Sequence, residues 1–343
     1  MIAKDIMPGR MRRFVQSALS RVGYRLVRLE ADRQRYNSAS FEASRPMPPG
    51  TEERLRADHP RLAELRRRYD ASTLPMALHS MWNAGYLGRE LDLRWFRGDN
   101  PYVWQFRNIG SDAWRKYYLY LRDIAARDSR NLLHTLTEDG LFGCWTFDYP
   151  GWPRVSRDLL DAINELYFLD RHLNLLTHPE WTVLDIGAGY GRLAHRATTA
   201  VPGLTWLCTD AVPESSFLCE FYLDFRQARS AKVVPLDELA TELPKRRIDL
   251  AVNVHSFSEM NENAVRCWLD LLRQHQVPWL FIVPNDADRL LTMEQDQTRR
   301  PFDGLLDAAG YERIACEPVF ADEAMREFMG VTDHFLLFRL RRS

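Results

Sequence analysis

Short apolar runs alternate with stretches of helical spacing through the second half of the chain. Val183-Leu184-Asp185-Ile186 reads as a buried strand. It runs into Gly187-Ala188-Gly189-Tyr190-Gly191 and a helix start near Arg192. Further strands are predicted at Leu204 to Asp210, Lys232 to Leu236, Arg247 to His255 and Trp279 to Pro284. Asn263 to His275 has helical spacing, and so does Phe302 to Ala309, which Gly310 stops. Two last strands are expected around Tyr311 to Pro318 and Asp333 to Leu340. Strands rich in Val, Leu and Ile that alternate with helices predict an α/β domain with a parallel sheet covered on both faces.

The first half has a different pattern. Val15, Leu19, Val22, Leu26 and Leu29 recur at alternating spacings of four and three, one face of a helix. Residues 1–30 carry Lys4 and six arginines against Asp5 and Glu30. Three readings stay open for this segment. It packs on its own protein or a second copy, lies on an anionic inner-membrane surface, or forms a solvated arm. Arg45-Pro46-Met47-Pro48-Pro49-Gly50 then reads as a linker. Residues 51–178 read as mostly helical and aromatic-rich, with Glu52 to Tyr69 an exposed charged helix. Three parts follow: 1–50 as basic helix and linker, 51–178 as helical cap, and 179–343 as the cofactor-binding domain.

Composition narrows the function. The 343 residues have a net charge of −1, with no electrostatic footprint for nucleic acid. Cys144, Cys208, Cys219, Cys267 and Cys316 lie far apart and predict reduced, buried thiols. No apolar run reaches the roughly 20 residues of a membrane span, and the basic N-terminus lacks the apolar core of a signal peptide. The expected location is cytoplasmic, with peripheral contact at the inner membrane as an option.

The glycine turn carries the chemistry. Glycines there let the backbone turn sharply and let a ligand approach, next to the positive end of a helix. The spacing is G-x-G-x-G rather than the G-x-G-x-x-G of a dinucleotide site. Asp210 ends the second strand, where doubly wound folds place an acid on ribose hydroxyls; a helix N-terminal acid is the plainer reading. Asp237 follows the third strand and equally suits a helix cap.

The run from Asp185 to Gly191, with the strands after it, resembles the class I S-adenosylmethionine-dependent methyltransferases. The resemblance implies a Rossmann-like sheet of seven strands, the last antiparallel. It places Gly187, Ala188, Gly189 and Gly191 around the methionine part of S-adenosylmethionine, with Asp185 on the ammonium. Asp210 would hold the ribose, Ala211 and Val212 would lie beside the adenine, and Asp237 would take the adenine amine. Asn253, in the fourth strand, also falls in this set. His255-Ser256-Phe257-Ser258-Glu259-Met260, with the helix from Val155 to Glu165, is similar to the bacterial sugar O-methyltransferases of surface-glycan pathways. That likeness covers roughly residues 140 to 340. It implies a glycan, or a nucleotide- or lipid-linked sugar, as acceptor.

A sugar hydroxyl needs a base as the new bond forms, and His titrates near neutrality. His255 is the expected base and Glu259 its expected orienter, with Asp148 and Tyr149 in reserve. Each has a plainer reading: His255 as a polar loop residue, Glu259 as a holder of helix N–H groups. A magnesium route, less favoured, would draw on Glu259, Asp286 and Asp288. Trp145 and Trp152 are the expected sugar-stacking rings, with Tyr149 and Ser256 as further substrate contacts. Phe147 to Pro153 reads as a shaped roof loop closed by Ser156 as a helix cap, and Met293 to Pro301 as a substrate loop or a solvated connection. The competing functions are O-methylation of a non-sugar natural product and a non-catalytic glycan-assembly role.

Overall fold

The computed structural model describes residues 47–78, 81–98, 102 and 113–341. The heptad segment of residues 1–30 lies outside the described residues. Residues 47–343 cluster as one compact unit.

The strands are β1 (Thr182–Ile186), β2 (Thr205–Thr209), β3 (Ala231–Val233), β4 (Leu250–Val254), β5 (Trp279–Val283), β6 (Tyr311–Pro318) and β7 (His334–Leu340). They form one seven-stranded sheet in the order β3-β2-β1-β4-β5-β7-β6. Strands β1 to β5 pair in parallel, while β7 runs antiparallel to both β5 and β6. This is the sheet that the sequence predicts. β1 is buried along its whole length, as a central parallel strand must be. β3 is shorter than expected, because Pro235 cannot donate to a ladder.

Among the described residues six longer helices accompany the sheet: α1 (Pro60–Asp70), α2 (Ala113–Ala125), α3 (Arg157–Leu173), α4 (Arg192–Ala200), α5 (Pro213–Phe225) and α6 (Glu262–Gln274). Ser156 caps α3 by accepting the Leu159 N–H at 3.0 Å. A further helix, Glu323–Met329, was not expected between β6 and β7.

The exposed helix expected over Glu52 to Tyr69 is not one element. It breaks before Pro60 into a short turn of helix and α1. Leu62, Leu65 and Tyr69 of α1 are buried, and its arginines reach acids elsewhere in the fold. Arg61 pairs with Glu220 at 2.5 Å, and Arg68 with Asp237 at 2.6 Å. A high charge density therefore marks a docked helix here, not a solvated one.

A second departure is a buried charge cluster. Glu138 accepts from Arg97 at 2.8 Å, Arg196 at 2.9 Å, Ser156 Oγ at 2.7 Å and the Gly140 N–H at 2.9 Å. Burial opposes its charge, yet the two guanidinium groups hold the Glu138 carboxyl well below the usual range. The cluster ties the chain before β1 to α4. Cys144 sits beside it, and with Glu138 and Asp158 makes a set of metal-ligand types. Arg97 and Arg196 already supply the positive charge there. No disulfide links the cysteines, and Cys316 is exposed, against the expectation of burial. Among the described residues no helix is long and apolar enough to cross a membrane.

Candidate active site

The strand order reverses between β1 and β4, and ligands of such sheets bind at the carboxyl ends beside that point. The glycine turn lies there. Gly187, Gly189 and Gly191 have φ of 76°, 56° and 83°, which L side chains rarely adopt. A Cβ on Gly187 would come within 2.1 Å of Ser256 Oγ. A Cβ on Gly191 would meet Cys219 Sγ at 2.8 Å, so that glycine serves packing of α4 on α5. The N–H groups of Gly187 and Ala188 donate to Thr209 O at 2.9 and 3.1 Å, fixing the turn on β2.

Two buried carboxylates flank the turn. Asp210 accepts from the Gly189 N–H at 3.0 Å and the Val212 N–H at 2.9 Å. Asp185 accepts from Trp206 Nε1 at 2.9 Å. Among the described residues neither has a cation in salt-bridge contact. Burial pushes each carboxyl up to about 7, against the opposing hydrogen bonds.

Both acids line a cavity of about 480 Å³ at the carboxyl ends of the strands. Gly187, Ala188, Gly189, Ala211, Val212, Ser256, His255 and Glu259 line it as well. The cavity thus brings together most of the residues singled out from the sequence.

Asn253 and Gly191 are not in the lining. Asn253 is fully buried and braces the turn: its Nδ2 donates to Ile186 O at 2.9 Å and Ser256 Oγ at 2.7 Å. Ser256 Oγ also donates to Ile186 O at 3.1 Å. Its hydroxyl is thereby committed to the brace, although the residue borders the cavity. Asp237 lies outside the lining too, gripped through both oxygens by Arg68 at 2.6 and 2.8 Å. The aromatic candidates sit elsewhere. Tyr149 donates its hydroxyl to Trp114 O at 2.6 Å, Trp145 is buried, and Trp152 packs under Arg122. Asp148 pairs with Arg154 at 2.9 Å, and Asp286 with Arg289. Neither Asp286 nor Asp288 joins Glu259 in the lining.

His255 has a left-handed backbone, φ 67°, and its N–H donates to Val283 O at 2.7 Å. Its side-chain partner is not Glu259. His255 Nε2 lies 3.5 Å from Asp333 Oδ2, just before β7. Burial alone would lower the His255 pKa; the hydrogen bond and charge of Asp333 outweigh it and leave it raised. Asp333 responds in kind: burial would raise it, but His255 holds it below the usual carboxylate range. Glu259 instead accepts from Trp82 Nε1 at 2.7 Å and Asn285 Nδ2 at 3.3 Å. Burial lifts its pKa despite those bonds.

The aromatic wall is the part that the sequence reading missed. Trp82 stacks on Tyr102 at 5.3 Å and meets Tyr86 edge-on at 5.7 Å. Tyr102 shares a hydrogen bond with Ser215 Oγ at 2.9 Å and lies against Gly189. Nothing in the spacing of these three residues marks them; only tertiary packing delivers them. Arg299, in the loop after β5, is part of the cavity lining.

No family profile and no curated protein sequence matches this chain. Solved structures do. A SAM-dependent methyltransferase from Aquifex aeolicus is similar at 17% identity, over 52% of this chain and 97% of that one, with a TM-score of 0.35. The glycopeptide N-methyltransferase MtfA bound to S-adenosylmethionine is similar at 16%, over 53% and 87%, with a TM-score of 0.39. Human N-acetylserotonin methyltransferase is similar at 14%, over 54% and 57%, with a TM-score of 0.35. The fold itself stands on the strand order given above.

Proposed function

We propose that this protein is an S-adenosylmethionine-dependent O-methyltransferase acting on a sugar hydroxyl. The observation that carries the reading is one cavity holding two kinds of chemistry. The glycine turn, Asp185 and Asp210 line it together with the His255–Asp333 pair.

The residues fit the cofactor. Gly187 and Gly189 keep the turn open where a Cβ would clash with Ser256 or crowd Tyr102. Asp210 is buried with no cation in salt-bridge contact among the described residues, and a carboxylate accepts two hydrogen bonds from a diol such as a ribose. Ala211 and Val212 would border the adenine. Asp185 would meet the ammonium. Asp237 is left out of the cofactor set, since it lies outside the lining and pairs with Arg68. When bound, S-adenosylmethionine supplies an electrophilic methyl on a sulfonium.

The chain's own residues do the rest. Asp333 engages Nε2 of His255, leaving Nδ1 to take the acceptor's proton. The aromatic wall of Trp82 and Tyr86 suits the C–H faces of a sugar ring. Alignment of the oxygen in the cavity contributes on the order of several kcal/mol. The same wall would also seat a flat natural product, which is the second reading.

Titration calorimetry with S-adenosylmethionine, followed by mass analysis of candidate acceptors, tests the proposal. Binding and a methyl mass gain on a sugar support it. A gain only on non-sugar acceptors moves the function to the second reading. Binding without turnover on any acceptor supports the non-catalytic reading.

A further inference from the structure

Two of the rings that the sequence offers for sugar contact, Tyr149 and Trp152, do not line the active-site cavity, yet they meet other rings on the outside of α2. Trp114, Tyr118 and Arg122 follow one another at intervals of four residues and share one face of that helix. Tyr117, Tyr120 and Ile124 are buried instead. Trp114 is 54% exposed, and its ring lies nearly parallel to that of Tyr118, at 10° with 6.4 Å between centroids. The Pro- and Gly-rich loop supplies the floor. Tyr149 lies 4.9 Å from Trp114 and 5.2 Å from Tyr118, and its hydroxyl donates to Trp114 O. Trp152, half-buried, closes the strip, with the Arg122 guanidinium 5.8 Å from its ring and 6.0 Å from that of Tyr118.

The open polar groups of this strip are donors. Among the described residues the indole N–H groups of Trp114 and Trp152 have no hydrogen-bond partner. Arg122 donates to the Tyr118 hydroxyl at 3.2 Å and has no carboxylate in salt-bridge contact among the described residues. The acids beside it in the chain are taken, Asp123 by Arg127 and Asp148 by Arg154, each at 2.9 Å.

Flat apolar faces bordered by donors and a cation complement the C–H faces of sugar rings that carry oxygen acceptors and a negative charge. An aliphatic protein face would leave those donors unmatched. We propose that this strip is a second, non-catalytic site that holds an anionic polysaccharide chain, with sugar rings on Trp114 and Trp152 and an acidic group on Arg122. The choice of a glycan rests on the sugar reading of the active site, while its test needs neither cofactor nor turnover, so the two can fail separately.

Affinity electrophoresis of the full chain through native gels containing alginate or polygalacturonate reads the binding, with dextran as the neutral comparison. Trp114→Ala, Trp152→Ala and Arg122→Gln are run beside the wild type. An acidic polymer should retard the wild-type chain, and dextran should do so at least about fivefold more weakly. Each substitution should weaken retention about fivefold or more. The tryptophan variants keep every charge, so they separate this strip from general attraction of the basic residues of 1–30 to a polyanion. Trp114→Ala, made at an exposed position, should keep the wild-type Tm, which reports that it is folded. No retardation of the wild type by either acidic polymer would overturn the site, as would wild-type retention of both tryptophan variants. Equal retention by dextran would overturn the anionic assignment. Phosphatidylglycerol vesicles that bind the wild type but not Trp114→Ala, without polymer retention, would assign the strip to a membrane and overturn the proposal likewise.

Discussion

His255 Nε2 lies 3.5 Å from Asp333 Oδ2, so the carboxylate that holds the histidine comes from the edge of β7. The nearer acid in sequence, Glu259, is committed to Trp82 and Asn285. This relationship sets a pH signature. A base acts in its neutral form, so activity rises as pH climbs through its pKa. Asp333 favours the protonated form and moves that limb upward. Asp333→Asn should shift the acid limb to lower pH while lowering the plateau. An NMR titration of His255 in the variant checks the same shift without an acceptor. An unmoved limb and an unmoved titration would remove Asp333 from this role. His255→Ala should cost about 10²–10⁴-fold in kcat with cofactor affinity retained.

The turn at Gly187 has no room. A Cβ there would sit 2.1 Å from Ser256 Oγ and 2.4 Å from Ser256 Cβ, on a backbone at φ 76°. Gly187→Ala should weaken S-adenosylmethionine by about tenfold or more. Adding Ser256→Gly removes the clash but not the strain, and should restore part of the affinity. Calorimetry on the single and double variants decides this. Wild-type affinity in Gly187→Ala would show that the cofactor does not approach this turn.

Cofactor affinity should depend on pH near neutrality. Burial holds Asp185 and Asp210 at about 7 in the free protein. Below that value each carries a proton that must leave before it can act as an anion, so binding weakens as pH falls and releases protons. Titrations in buffers of different ionisation enthalpy measure that release. Asp210→Asn should abolish its share while weakening binding.

Stability should hinge on Glu138 more than on any surface pair. It is fully buried between Arg97 and Arg196. Glu138→Ala removes the carboxylate partner of Arg196 and leaves Arg97 with Asp158, and should cost about 3–5 kcal/mol. A denaturant midpoint measures it. The folded-state pKa of Glu138 is depressed, so its contribution is present above the ordinary carboxylate pKa. It is lost as pH falls toward the folded value.

The sheet was legible because parallel buried strands write continuous apolar runs, each closed by a turn residue. The glycine turn was legible for the same reason, with Asp210 one strand further on. What sequence could not give was the rest of the cavity lining. Asp333 reaches His255 because β7 inserts between β5 and β6, and that insertion is a tertiary event. Trp82 and Tyr102 arrive by packing from segments without periodicity. Trp145, Tyr149 and Trp152 drew attention through a Pro- and Gly-rich loop, but loop chemistry says that a segment is irregular, not where it points. The charges of α1 misled in the opposite direction, since Arg61 and Arg68 serve docking.

The most direct measurement is a calorimetric titration of the folded chain with S-adenosylmethionine, repeated on Asp210→Ala. Saturable one-to-one binding that the substitution weakens at least about tenfold is the predicted result. Absence of binding by the wild-type protein, or equal binding by both chains, would contradict the assignment of this cavity to the cofactor.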